Sequence, residues 1–187
     1  MSDSEATPPP PTPSTPVSNP FEGLDVEKIK SAGLPTKLML GGSVGFFIFA
    51  FFEWWSGDVS IKSPLIGVRS ASESGNAFHI WQGTLAWLLM IAVAVLAIVM
   101  LLKGAEKNLV TAALACSGLG TLLTLWYWLR IPSEDDLVGE SGGGVLADSI
   151  GMTIDVGASI GLFLGLIAAI VATVGAVMTF QASQQSN

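Results

Sequence analysis

The sequence predicts an all-α membrane protein: a bundle of four transmembrane helices behind a disordered, proline-rich N-terminal tail. Three observations predict it. Four apolar stretches, Leu38–Trp55, Ile80–Leu102, Leu109–Leu129 and Val156–Phe180, each reach the roughly 17–25 residues that a helix needs to cross about 30 Å of hydrocarbon. The last three contain no Asp, Glu, Lys, Arg or His. Charged residues make up only 12% of the chain and mean hydropathy is +0.61, where soluble domains carry about a quarter charged residues.

The chain divides into a tail over 1–24, a short amphipathic surface helix over 25–35, a transmembrane domain over 36–182 and a polar C-terminal tail over 183–187. The spans lie at about 38–55, 80–102, 109–129 and 156–180. In the tail, the run PPPPTPSTP removes backbone donors and offers almost nothing apolar to bury, which predicts disorder with polyproline-II character. Its P-x-x-P spacings suit a cytoplasmic docking partner, and a solvated spacer has the same composition. From Asp25, Val26, Ile29 and Ala32 share one helical face, and Gly33 followed by Pro35 stops the helix.

The opening residues lack the basic-then-apolar layout of a secretory signal, so Leu38–Trp55 is expected to be a retained anchor. Next comes Ser56–Phe78, whose β-prone fragments Asp58–Ile61 and Leu65–Val68 suit a small hairpin, marginal unless packed on the helices. The connection Arg130–Asp155 opens with the acidic run Glu134, Asp135 and Asp136. It turns apolar at Val145–Ile154, which is expected to lie flat on the membrane surface before the fourth span.

Orientation follows from the basic residues beside the spans. Lys28, Lys30, Lys37, Lys103 and Lys107 flank one side, and Lys62, Arg69 and Arg130 the other. Both termini are therefore expected in the cytoplasm, in a multi-pass protein of the cell (plasma) membrane. The aromatic residues agree: Trp54, Trp55, Trp81, Trp126, Tyr127 and Trp128 all fall at the outer interface, where amphipathic rings prefer to sit. Trp87 lies about 10 Å deeper and the belt does not explain it.

Small residues mark the packing faces. Gly157, Gly161 and Gly165 fall at strict four-residue spacing on the fourth span, extended by Ala169 and Thr173. The third span offers Ala112, Cys116, Gly120 and Thr124, and the first Gly41 and Gly45. Such residues let helix backbones approach closely in lipid. They suit packing within the chain, or a seam for a second copy or a larger membrane-protein partner along the fourth span.

Chemistry-bearing residues are few. Ionisable residues buried inside spans mark ion pathways, and none stands at mid-depth here. Glu53, His79, Arg130 and Asp155 stand at the outer ends of the four spans and are a candidate interfacial polar ring; equally, each marks where its helix leaves the membrane. A single His and a single Cys at different depths build no metal site. No nucleophile–base pair, phosphate-binding glycine loop or basic nucleic-acid surface is present, so neither a cofactor, nor nucleic acid, nor catalysis is expected. The hydroxyls of Thr111, Ser117, Thr121 and Thr124 suit a polar path along the third span, or bonds to their own helix carbonyls.

The layout resembles a group of small tetraspan integral membrane proteins of high-GC Gram-positive bacteria. The matching features are the proline-rich start, the first span ending in FFEWWSG, the outer loop closing with Asn76, Ala77 and Phe78, and the last helix reading LFLGLIAAIVATVGAVM. The resemblance runs from about Leu38 to the C-terminus. It implies the membrane fold and brings no catalytic residue. A looser likeness to claudin-type tetraspans fails at the loop cysteines, which are absent here.

The expected function is that of a non-enzymatic accessory or scaffold subunit, with membrane lipids around it and a partner along the fourth span. The alternative is a small oligomeric channel or carrier built around the third span.

Overall fold

The computed structural model describes residues 26–63, 67–131 and 152–185. The proline-rich tail and the acidic run Glu134–Glu140 lie outside them. The described chain is mostly helical, and it adds a three-stranded antiparallel sheet that an all-α fold does not contain.

A short helix α1 (Val26–Ser31) leads into α2 (Leu34–Phe49), which carries a proline in its first turn, where the missing N–H costs nothing. Three longer helices follow: α3 (Trp81–Lys103), α4 (Lys107–Leu129) and α5 (Ile160–Gln185). These three are long and apolar enough to cross a membrane. With 16 residues, α2 is about 24 Å long. The turn from α3 to α4 is tight: Gly104 takes φ +100°, and its N–H closes back on the Met100 carbonyl.

Where the sequence predicts helix as far as Trp55, α2 stops at Phe49. The last turn tightens, with the N–H groups of Phe51 and Phe52 bonding to the carbonyls of Ile48 and Phe49. The indole of Trp54 donates to the same Phe49 carbonyl at 3.1 Å, so this oxygen at the helix end accepts two bonds. Strand β1 (Glu53–Ser63) begins at once, pairing antiparallel with β2 (Gly67–Asn76). A second correction concerns the fourth span. Residues 156–158 belong to strand β3 (Met152–Ala158), which pairs with the free edge of β1 from Trp55↔Ala158 to Ile61↔Met152. The described end of Val145–Ile154 is thus strand, not a surface-lying segment. This third strand gives the hairpin the support that two strands lack.

The helices pack side by side in a closed circuit, α2 on α3, α3 on α4, α4 on α5 and α5 back on α2. Their buried positions step alternately by three and four residues. On α3 these are Gly83, Ala86, Met90, Val93, Ala97 and Met100; on α4, Val110, Ala113, Ser117, Gly120 and Thr124. An average step of 3.5 keeps one seam facing its neighbour along a gently supercoiled pair. The outward faces are apolar: Leu88 and Val95 on α3, Leu119 and Leu122 on α4, Ile167 and Ile170 on α5 are all exposed. No water-soluble surface looks like this, and hydrocarbon is the solvent that suits it.

Candidate functional site

Two places concentrate features beyond helix packing: the seam along α2, and the joint where the sheet enters the helices.

The seam between α2 and α5 is built on backbone contact. A methyl group at Gly42 would run into the backbone nitrogen of Ala172, and one at Gly175 would lie 2.6 Å from the Pro35 carbonyl oxygen. At Gly161 it would lie 2.5 Å from the Glu53 carbonyl oxygen, and at Gly165 3.4 Å from the Trp54 ring. Gly161 and Gly165, which the sequence offers to an outside partner, therefore face α2 and β1 of the same chain. Gly45 touches Ala168, while Gly41 is exposed with nothing near it. Gly157 sits in β3, off the helix. On α4, Gly120 packs under Met90, Cys116 is half-buried and Ala112 is exposed. Gly42 and Gly175 are absent from the four-residue stripes, yet they approach the opposing backbone about as closely as Gly161 does.

On the opposite side of α2, toward α3, the packing is loose. A groove of about 260 Å³ opens there, lined by apolar side chains and by Ser43. Ser43 is 2% exposed and its hydroxyl has no hydrogen-bond partner. One turn outward, Phe47 stacks on Trp87 at 5.4 Å, and Phe78 meets the other side of that indole edge-on at 5.3 Å. This aromatic stack accounts for the deep tryptophan. Its N–H is buried and also lacks a partner.

At the joint, a register shift between Glu53 and Trp55 lets Trp54 turn inward. Fully buried, it meets Phe46 edge-on at 5.8 Å and Tyr127 at 6.1 Å. It is therefore a core residue and no part of an interfacial belt, whereas Trp81, Trp126 and Trp128 are exposed. Beyond the joint, alternation gives the sheet two unlike faces. Trp55, Val59, Ile61 and Val156 share one; Ser56, Asp58, Ser60, Thr153 and Asp155 share the other. On the polar face Ser60 and Thr153 hydroxyls bond at 2.6 Å, and Asp58 stands directly opposite Asp155, both exposed.

The four candidate ring residues do not form a ring. Glu53 accepts from the Ser74 hydroxyl at 2.9 Å, and His79 Nδ1 lies 3.1 Å from the Asn76 side-chain oxygen, which also caps the turn at Phe78. Arg130 lies over the Trp126 ring at 4.9 Å, and Asp155 is out on β3. Among the described residues none of these four pairs with another, and no group of three or more His, Cys, Asp and Glu could hold a metal.

The α4 hydroxyls are spent locally. Thr111 and Thr124 donate to carbonyls four residues back and Ser117 to one three back, as hydroxyls in apolar helices commonly do. Thr121 alone reaches across, to Thr173 of α5 at 2.9 Å, a bond between helices worth about 0.6 kcal/mol on average in lipid. No protein-family model and no curated protein matches this chain.

Proposed function

We propose that the protein is a non-enzymatic accessory or scaffold subunit, a four-helix transmembrane bundle that holds its small sheet outside the plasma membrane with both termini in the cytoplasm. Its fourth crossing is α2 completed by the turn that leads through Phe51 and Phe52 to the buried Trp54. The carrying observation is the two-ended build: apolar lipid-type faces over the helices, and at one end only a sheet whose strand β2 is exposed from Gly67 to Ser74. Lys37, Lys103 and Lys107 stand at the helix ends opposite the sheet, as cytoplasmic lysines would. A helical support ending in an exposed sheet is suited to presentation.

Since Gly161 and Gly165 are taken up within the chain, the reading places the partner contact on the sheet. Gentle detergent purification with Arg69→Glu and Ser72→Arg in β2 tests it. A companion protein that accompanies the native chain should be lost, with the fold unchanged by circular dichroism. A companion retained by both variants would sink the reading. A cysteine at Ser60 should be labelled from outside intact cells, and reporters fused at either terminus should report the cytoplasm. The channel alternative draws less support, because α4 uses most of its hydroxyls on its own carbonyls.

A further inference from the structure

Strand β2 is an edge of the sheet: in the order β2–β1–β3, no described strand lies against its outer side. It pairs with β1 without a bulge from Gly67 to Gly75, and it is exposed from Gly67 to Ser74. A long, regular edge offers unpaired N–H and C=O groups to another strand, and proteins commonly blunt such edges with proline, bulges or charge. This run has no proline and no bulge, and its two charges are placed with a symmetry of their own. It reads GVRSASESG, nearly a mirror about Ala71. Gly67 mirrors Gly75, Ser70 mirrors Ser72, and Arg69 mirrors Glu73, its opposite in charge; Val68 and Ser74 differ. Among the described residues neither Arg69 nor Glu73 makes an ion pair within the chain.

We infer that β2 pairs antiparallel with β2 of a second copy of this chain, centred on Ala71, joining two three-stranded sheets into one of six strands. Two copies of a strand related by a two-fold axis through its midpoint place each residue opposite its mirror position. Arg69 of each copy then stands across from Glu73 of the other, twice over, and no like charges meet. Ser70 and Ser72 also meet, as a hydroxyl pair on the opposite face. The charges select this occupant. A strand of unrelated sequence makes the same main-chain bonds, but matches both charges only by carrying the reverse pair at the same spacing. Arg69 and Ala71 stand beside Ile61 and Val59 in the register, so the apolar strips of the two copies fall on one side of the joined sheet. Each β2 leads to its own α3 at the Asn76 end, so the two bundles lie at opposite ends of that sheet. Strands standing along the membrane normal would join copies in two facing membranes; strands lying along its surface would join neighbours in one. The inference rests on the reading of an exposed sheet that presents a contact, and it names the partner at that surface.

The test uses the full chain in mild detergent, where both geometries are open, with its mass read by light scattering corrected for detergent. The native chain should reach dimer mass as its concentration is raised. Arg69→Glu and Glu73→Arg each exchange two attractive pairs for two like-charge pairs, and each should weaken the dimer by about tenfold to thirtyfold. The double variant carrying both changes should recover native association. An equimolar mixture of the two single variants should form mixed dimers, since each supplies the charges that the other lacks. In a Cys116→Ala background, Ala71→Cys should cross-link to its own copy under mild oxidation. Val68→Cys should not, because Val68 stands opposite Ser74 of the second copy. A native chain that stays monomeric, failure of both the double variant and the mixture to associate, or equal cross-linking at the two cysteines would overturn the inference. The accessory reading is judged separately. A companion protein lost from Arg69→Glu while the native chain is monomeric would uphold that reading and defeat this pairing; native dimers that carry no companion would do the reverse.

Discussion

Helix α2 has two neighbours and treats them oppositely. Against α5 the backbones touch at Gly42 beside Ala172 and at Gly175 beside Pro35, and Gly45 meets the Ala168 methyl. Against α3 it presents Phe47 and Ser43, and a groove of about 260 Å³ opens between the two helices. In lipid, where burial from water no longer drives association, close contact through small residues supplies the cohesion. The tight seam is thus the more cohesive side of α2, while the other leaves the Ser43 hydroxyl unpaired. Sequences commonly break local rules where function sits, and the orphaned Ser43 breaks the rule that buried polar groups are paired.

The contrast can be broken hardest at the outer end of the tight seam. Trp54 fills the space between Phe46, Gly165 and Tyr127 and caps α2 with its indole. Trp54→Ala should cost about 3–5 kcal/mol by leaving a cavity that rigid helices cannot close. Thermal unfolding in detergent checks it, and a loss under 1 kcal/mol would mean that the joint is not packed as described. Next in size, Gly42→Leu drives a side chain into the Ala172 backbone and should cost about 3 kcal/mol. Backbone cannot yield as a side-chain end can, so the helices must part.

The helices are legible in the sequence and the sheet largely is not. Apolar length alone locates α3 and α4 to within about two residues at each end, because nothing in those runs competes with helix. It fails at Phe51–Trp55, since aromatic residues suit a half-buried strand as well as a span, and a hydropathy count cannot separate the two. It fails at residues 156–158 because Val-Gly-Ala is apolar enough to extend the run, although these residues pair with β1. The packing face follows the glycine stripe through Gly161 and Gly165 and then departs from it. At 3.6 residues per turn, a strict four-residue step advances about 40° around the helix each time, so Thr173 has rotated from the α2 side toward α4. The face that meets α2 runs Gly161, Gly165, Ala168, Ala172, Gly175, and its sequence signal is the seven-residue spacing of Gly161, Ala168 and Gly175. The candidate polar ring was not legible because its members belong to a sheet, a capped turn and a cation–π contact, not to four equivalent helix ends.

On the loose side, smaller effects of opposite sign are expected. Ser43→Ala removes a hydroxyl that bonds to nothing, so the protein should gain about 1 kcal/mol in thermal unfolding. Destabilisation by Ser43→Ala would mean that the hydroxyl has a partner in the folded chain.

The smallest effect is the sharpest control on the tight seam. Gly41 adjoins Gly42 in sequence but faces outward, with open space where a side chain would go. Gly41→Leu should therefore alter stability by no more than about 0.5 kcal/mol, any change being a gain from better helix propensity. The same leucine one position later should disrupt the fold. If the two substitutions behaved alike, α2 would be rotated about its axis from the orientation described here. Both the backbone seam and the groove would then be assigned to the wrong residues.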